Sequence, residues 1–275
     1  MGLVAWLNVH FRHHLDLYPH YDFKYFPSNL VIDENHATMP AYKEPNVLTY
    51  HLYNRERSSC CRRVRIALAL KNIPNVVLHD VDTNSGVHMT EGYRALNPSG
   101  AVPTFIREIT SPTGEVKERF VLTQSTAILE YLVEKFPRMG HPLMPDFRYQ
   151  EQKAKIREMV AIVSQDIFPI ANRKNANRIR EIRDLEEDQT MFLQRALHEG
   201  FDAYEKMLGK HGGHYSVGDE LSMADVCLVP MVLQAKIWGV DVCTERKRWP
   251  KIKIVVEECG KIKAFANEMG LAGVV

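Results

Sequence analysis

The order of strands and helices after Val47 constrains the fold more than any other feature of the sequence. Residues 47–53, VLTYHLY, alternate in character and are rich in β-forming side chains, which predicts a strand. Apolar residues at helical spacing then predict a helix over 60–71, and VVLHDV at 76–81 predicts a second strand. Because a helix separates them, these two strands are expected to pair in parallel.

The same region continues with a short helix at 90–96 and a turn that enters a strand at 97–106. A hairpin through 111–116 leads into another strand at 118–122, and a helix at 125–136 closes the unit. The complete order is βαβαββα. It predicts a mixed sheet whose last strands form an antiparallel hairpin.

Beyond a linker at 144–150 the sequence shows no strand pattern. Ser222 and Asp225 have the spacing of a helix capping box. The predicted class is therefore α/β plus all-α, with a βαβαββα domain at 47–137, a helical domain at 146–270 and an extension at 1–46 that we expect to be flexible. Helices are predicted at 149–171, 185–208, 223–238 and 249–266.

The overall composition points away from nucleic acid and membrane partners. Lysine plus arginine number 35 and aspartate plus glutamate 34, so no net field attracts a polyanion. No apolar run approaches the roughly 18 residues that a membrane helix needs. Five cysteines without framework spacing predict reduced thiols and a cytoplasmic location. The histidines at 10, 13, 14 and 20 match no zinc spacing, so no metal site is predicted.

Two hydroxyls and two thiols stand side by side at a helix start, in Ser58, Ser59, Cys60 and Cys61. A helix N-terminus stabilises an anion, so a cysteine here could act as a low-pKa nucleophile. Alternatively, a serine hydroxyl could stabilise a thiolate brought by a small molecule. A third interpretation is that a serine only caps the helix. There is no C-x-x-C pair, which argues against dithiol exchange of the thioredoxin kind.

Four segments of this sequence resemble the zeta-class glutathione transferases, the family that contains maleylacetoacetate isomerase. The likeness recurs in order along the chain and covers roughly residues 47–265. The four segments are SSCCRRVRIALALK (58–71), ALNPSGAVPTF (95–105), LTQSTAILEYL (122–132) and YSVGDELSMADVCLVP (215–230).

The resemblance implies a glutathione-binding thioredoxin-like domain, a helical domain and a homodimer. In the implied site, Ser59 stabilises the glutathione thiolate with Ser58 and Cys60 beside it. Pro103 is a candidate cis-proline that exposes backbone to glutathione, and Gln124 and Ser125 begin a helix that can hold a carboxylate. The implied glutathione-binding residues are Ser58, Ser59, Cys60, Arg63, His88, Val102, Pro103, Gln124, Ser125 and Asn172.

The activity that the resemblance implies is glutathione-dependent cis–trans isomerisation of a small diketo-diacid such as maleylacetoacetate, within tyrosine and phenylalanine catabolism. The thiolate adds reversibly to the double bond, and cationic side chains are needed to anchor two carboxylates. Arg57, Arg173 and Lys174 are the candidates.

Several positions depart from the family pattern. Phe168 and Ala171 replace glutamines, Arg62 replaces an aromatic residue, and the loop at 107–120 is longer. A more apolar pocket suits less charged substrates, so conjugation or dehalogenation of small electrophiles is an alternative. A non-catalytic interaction domain and a redox role for Cys60 are further alternatives.

Overall fold

The computed structural model describes residues 45–245 and 247–271, and the sheet lies near the beginning of this part. Its strand order is β2-β1-β3-β4, with β1 parallel to β2 and antiparallel to β3, and β3 antiparallel to β4. The predicted parallel pair and edge hairpin are confirmed. The strands are β1 (Val47–Asn54), β2 (Val76–Asp80), β3 (Thr104–Thr110) and β4 (Val116–Thr123).

Helices pack on the sheet because alternate strand residues are apolar. Tyr50 and Leu52 of β1 and Phe105 of β3 are buried, and the rings of Tyr50 and Phe105 stack at 5.7 Å. The first helix buries Val64 and Leu68 in the same core. This packing completes the βαβαββα unit that the sequence predicts. Its helices are α1 (Ser59–Leu70), α2 (Glu91–Leu96) and α3 (Ser125–Lys135).

The rest of the described chain is helical, as predicted. One helix passes into a π-helical turn over Ile162–Ile167. In this region the helix at Met223–Ile237 and the helix at Lys263–Met269 both contact α1 of the sheet unit. The helices are α4 (Gln150–Ala161), α5 (Arg173–Arg183), α6 (Glu186–His211), α7 (Met223–Ile237), α8 (Pro250–Gly260) and α9 (Lys263–Met269).

Two helix predictions need correction. The helix expected over 149–171 leaves the α-helical geometry after Ala161, and α5 is a separate helix that the sequence analysis did not predict. Asn172 begins α5 by accepting a hydrogen bond from the Asn175 backbone N–H at 3.0 Å, which is the N-cap signal that was overlooked. The helix expected over 249–266 is two helices, and Gly260, a weak helix former, ends the first.

The start of α7 is fixed by the predicted capping box. Asp225 accepts hydrogen bonds from the Ser222 backbone N–H at 2.8 Å and from the Ser216 backbone N–H at 2.7 Å. The Ser222 hydroxyl accepts from the Ala224 N–H. Asp225 is fully buried, and burial raises its pKa against the opposing effect of these donors. The confirmed box sets the position of α7, whose other end lies at the site described below.

Two polar contacts join distant parts of the chain. Lys71, directly after α1, is buried and donates to the carbonyls of Phe136 at 3.0 Å and Pro142 at 3.3 Å, both in the segment between α3 and α4. Arg65 pairs with Glu268 of α9 through two hydrogen bonds of 2.7 and 2.5 Å. These contacts hold both ends of the helical region against α1.

The extension predicted at 1–46, with its histidines, lies outside the described residues except for positions 45 and 46. In the part of the chain that is described, no helix has the length and apolar character needed to cross a bilayer.

Candidate active site

A cavity of about 490 Å³ opens at the start of α1. Its walls come from the β1–α1 loop, the loop after β2, the segment before α5 and the end of α7. The lining residues are Arg55, Arg57, Ser58, Ser59, Thr83, Asn84, Val102, Phe168, Asn172, Arg173, Gln234, Ile237 and Trp238.

The two serines at the helix start have different roles. Ser58 is the N-cap residue, and its hydroxyl accepts a hydrogen bond from the Cys61 backbone N–H at 3.3 Å. Ser59 is the first helical residue; it lines the cavity and is only 2% exposed. Its hydroxyl has no hydrogen-bond partner among residues 45–245 and 247–271. Capping therefore uses Ser58 and leaves the hydroxyl of Ser59 available for a ligand.

The thiols do not face the cavity. Cys61 is fully buried, and burial raises the pKa of its thiol to about 11. Cys60 is also buried and is absent from the cavity lining. With its raised pKa the Cys61 thiol is protonated at neutral pH and is a poor nucleophile. Of the three interpretations of this segment, a serine that serves an imported thiolate agrees best with the geometry.

Arg63 is a buried cation without an acidic partner among the described residues. It is 1% exposed, and its Nη1 lies 3.4 Å from the Ser125 hydroxyl. Its guanidinium stands 5.3 Å from the ring centroid of Phe168, and its Nε and Nη2 have no hydrogen-bond partner in the described part. Arg63 follows Ser59 by four residues and so shares its helix face. Such a charge favours an anion bound at the start of α1.

Two unusual backbone positions border the same region. The Val102–Pro103 peptide bond is cis, as predicted for Pro103, and Val102 lines the cavity. Gln124, which precedes the first residue of α3, has φ +70°. A positive φ at a residue other than glycine costs about 1–3 kcal/mol and tends to occur at binding sites. Ser125 follows as the buried first residue of α3.

The charge of the cavity lining has one sign. Arg55, Arg57 and Arg173 line it, and none of its lining residues is acidic. Arg173 donates to the Asn84 side chain at 2.9 Å. Arg57 is exposed and has no hydrogen-bond or ion-pair partner in the described chain. A lining with three guanidinium groups and no carboxylate suits a small dianion.

The structure brings six of the candidate residues together and leaves others apart. Those that line the cavity are Arg57, Ser58, Ser59, Val102, Asn172 and Arg173. Arg63 contacts Ser125 on one side and the cavity residue Phe168 on the other. Outside the lining lie Cys60, His88, Pro103, Gln124 and the exposed Lys174.

Comparisons with known proteins decide the family. Residues 57–135 match the glutathione S-transferase N-terminal domain and residues 172–253 the C-terminal domain. The maleylacetoacetate isomerase of Aspergillus fumigatus is 41% identical over 191 residues, which are 70% of this chain and 79% of that protein. The maleylacetoacetate isomerase of Mus musculus is 35% identical over 216 residues, 78% of this chain and 89% of that protein. The chain belongs to the zeta-class glutathione transferases.

Solved structures agree with this assignment. A bacterial maleylpyruvate isomerase of the zeta class superposes with a TM-score of 0.67 at 33% identity, covering 79% of this chain and 95% of that one. A maleylacetoacetate isomerase from Methylobacterium extorquens, solved with malonate and glutathione bound, gives 0.67 at 31% identity with the same coverage.

Sequence reasoning missed several cavity residues of this zeta-class transferase. Gln234, Ile237 and Trp238 share one face of α7, since they are spaced by three and four residues. That spacing could have grouped them, but only the packing of α7 against α1 shows that the face borders the cavity. Arg55 stands two residues before Arg57 and was overlooked beside it.

Of the two positions that depart from the family pattern, 168 and 171, only the first lies at the cavity. Phe168 lines the cavity and lies against the Arg63 guanidinium. Ala171 is fully buried in the core and does not reach the cavity. Only the change at 168 alters what a ligand of this zeta-class transferase would touch.

Proposed function

We propose that this zeta-class enzyme isomerises maleylacetoacetate or a closely related diketo-diacid from cis to trans, with glutathione as its cofactor. The curated relatives named above are maleylacetoacetate isomerases at 35–41% identity. The observation that carries the proposal is the cavity itself. It places the hydroxyl-bearing Ser59 beside three arginines, with no acidic residue in the lining. A non-catalytic domain has no need of such a lining.

The residues present fit glutathione. The buried Arg63 has two unpartnered donor atoms close to Ser125, so an anion at the start of α3 would supply the missing negative charge. The solved Methylobacterium relative contains glutathione, which supports the same ligand here. Cys60, which does not line the cavity, is left out of the binding set that we propose. The residues that we propose to hold glutathione are Ser58, Ser59, Arg63, His88, Val102, Pro103, Gln124, Ser125 and Asn172. When bound, glutathione supplies a thiolate that can add reversibly to an activated double bond.

The enzyme's contribution at this position is electrostatic. The Ser59 hydroxyl donates a hydrogen bond to the sulfur and favours its ionised form. The unpaired N–H groups at the start of α1 add a partial positive charge. Ser58 keeps the helix start in place through its cap. A free thiol is only a few per cent ionised at neutral pH, so these groups determine how much thiolate is present.

The carboxylates of the substrate meet the arginines. Arg57 and Arg173 line the cavity and can each form a charge-assisted hydrogen bond, or a bidentate pair, with a carboxylate. Lys174 is exposed and outside the lining, so its part is at most a long-range attraction. Phe168, Ile237 and Trp238 cover the apolar side of the cavity.

The test is an isomerisation assay with maleylacetoacetate and maleylpyruvate, with and without glutathione. We expect turnover only when glutathione is present. Ser59→Ala should lower kcat/KM about 100-fold, as the loss of one donor to a developing anion does. Cys60→Ala, whose thiol does not line the cavity, should change kcat/KM less than about threefold. A wild-type enzyme without turnover, or loss of activity in Cys60→Ala with retention in Ser59→Ala, would contradict the proposal.

A second candidate function is conjugation or dehalogenation of small electrophiles. Phe168 favours it, because a benzyl side chain stands where the family pattern has an amide. The measurement is glutathione conjugation of 1-chloro-2,4-dinitrobenzene compared with isomerisation of maleylacetoacetate. A higher kcat/KM for the chlorinated substrate would favour this second function.

We also propose that the enzyme is a cytoplasmic homodimer acting in tyrosine and phenylalanine catabolism. The family supports the dimer and the pathway. The buried thiols of Cys60, Cys61, Cys227 and Cys259, which form no disulfides, support a reducing compartment. Light scattering of the purified protein tests the dimer, since a mass of one chain would contradict it.

A further inference from the structure

Two arginines from different parts of the chain meet on one short loop. Arg55, from the β1–α1 loop, donates a hydrogen bond to the Thr83 hydroxyl. Arg173, the first residue of α5, donates to the Asn84 side chain at 2.9 Å. Thr83 and Asn84 are adjacent, and all four residues line the cavity. The two guanidinium groups therefore approach the same section of the cavity wall.

Their charges are only weakly compensated. Asp82 lies 3.4 Å from the Arg55 guanidinium, but its side chain is 56% exposed and it does not line the cavity. The Arg55 side chain is 22% exposed. An ion pair with so exposed a partner is screened by water and contributes little. The other two contacts, with Thr83 and Asn84, are to neutral oxygens. The wall thus carries two positive charges, and the nearest carboxylate, that of Asp82, is largely exposed to water.

We propose that Arg55 and Arg173 together bind the substrate carboxylate that is remote from the double bond. The inference rests on the proposed function and adds Arg55 as a residue that determines specificity for diacids. The reacting double bond has to lie at the sulfur, near Ser59. Arg57 adjoins Ser58 and is suited to the carboxylate next to that bond. Arg55 and Arg173, held by the Thr83–Asn84 wall, are then suited to the other carboxylate.

Thr83 and Asn84 act as positioning residues in this arrangement. Their oxygens hold each guanidinium by one contact and leave its remaining N–H groups for a carboxylate, which accepts two parallel hydrogen bonds from arginine. The contact of Arg173 is neutral, and the only acid close to Arg55 in the described part of the chain is the largely exposed Asp82, so a substrate carboxylate competes with no buried acid. The Arg55–Arg173 pair is thereby arranged before the substrate arrives.

The first experiment compares two substrates in Arg55→Met. Maleylacetoacetate has two carboxylates, whereas maleylacetone has the same cis double bond and diketone but only one. We expect kcat/KM for maleylacetoacetate to fall about 30-fold, as the loss of hydrogen bonds to a charged group does. For maleylacetone it should change less than about threefold, since the affected carboxylate is missing. An equal loss with both substrates, or no loss with either, would overturn the assignment.

A matched control and a binding measurement separate this inference from the proposed function. Arg148→Met removes an arginine that lies outside the cavity lining and should leave both substrates unaffected. Calorimetry with adipate and hexanoate, in the presence of glutathione, requires no turnover. Wild type should bind adipate more tightly, and Arg55→Met should lose that preference. The wild type could fail to isomerise either substrate and still bind adipate more tightly than hexanoate. If Arg55→Met then loses this binding preference, the carboxylate site stands and only the proposed function is contradicted. An unchanged preference in Arg55→Met overturns the site.

Discussion

Replacing Arg63 with methionine should stabilise the ligand-free protein and weaken its response to glutathione. Arg63 is 1% exposed, and its Nε and Nη2 lack hydrogen-bond partners among the described residues. Methionine matches the aliphatic part of the arginine side chain and has no polar hydrogen to satisfy. The substitution therefore removes a buried charge whose compensating anion is, in our proposal, the ligand. Opposite effects on stability and on binding are the signature of a residue kept for function.

The magnitude can be worked from the contacts. Two unsatisfied donors cost about 2 kcal/mol each. The substitution also removes the Nη1 contact with Ser125 at 3.4 Å and the approach to the Phe168 ring at 5.3 Å. Each of these contributes about 1 kcal/mol. The net gain is about 2 kcal/mol in the free energy of unfolding, which is a rise of about 6 °C in Tm for a chain of this size.

The response to glutathione should change in the other direction. A ligand at 100 times its Kd stabilises a protein by about 2.7 kcal/mol. If the loss of Arg63 weakens binding tenfold, the same concentration stabilises the variant by only about 1.4 kcal/mol. Thermal unfolding with and without glutathione measures both quantities in one series. The variant should begin at a higher Tm and gain about half the wild-type shift.

Arg65→Met is the matched control on the same helix. Arg65 is paired with Glu268 through two hydrogen bonds, so its loss leaves this poorly exposed carboxylate with only the longer contact to Arg62 at 3.5 Å. The control should lose about 3 kcal/mol and keep the glutathione shift. A lower Tm in Arg63→Met together with an unchanged glutathione shift would refute the reasoning, because Arg63 would then be a packing residue.

Two further predictions concern stability alone. Gly140→Ala should lower the free energy of unfolding, measured in urea, several times more than Gly114→Ala. Both glycines have positive φ, but only at Gly140 would a Cβ overlap the Leu70 carbonyl. An equal cost would show that the segment around Gly140 adjusts freely. Burial raises the pKa of Cys61 from 9.0 to about 11, so the folded protein holds this proton where the unfolded chain has lost it. Between pH 9 and 11 the stability should therefore fall by about 2 kcal/mol more in wild type than in Cys61→Ala, and parallel pH profiles would contradict the shift.

Local patterns in the sequence predicted what local physics determines. Alternation gave the strands, and the Ser222–Asp225 spacing gave the start of α7. Both depend on residues within a few positions of one another. The cis bond at Pro103 was expected only through the resemblance to the family.

The parts that were missed depend on packing between distant segments. Arg55 becomes a cavity residue because the loop after β2 folds against it, and Trp238 because α7 packs on α1. The break between α4 and α5 has a local signal in Asn172, but a continuous apolar pattern outweighed it. Nothing in the sequence around Gln234 and Ile237 shows whether this face of α7 lines a cavity or packs in the core.

The phenylalanine at position 168 explains why two nitrogens of Arg63 lack hydrogen-bond partners among the described residues. The position taken by Phe168 is that of a family glutamine, whose amide oxygen could accept a hydrogen bond. The phenyl ring offers only its face, and the Arg63 guanidinium lies over it at 5.3 Å. Cation–π attraction holds the charge there but satisfies no N–H group, which leaves Nε and Nη2 without partners. The substitution at 168 therefore leaves the charge of Arg63 less compensated by the protein. An anion bound by Ser125 gains from this, because apart from the Ser125 hydroxyl the described residues offer the guanidinium no acceptor.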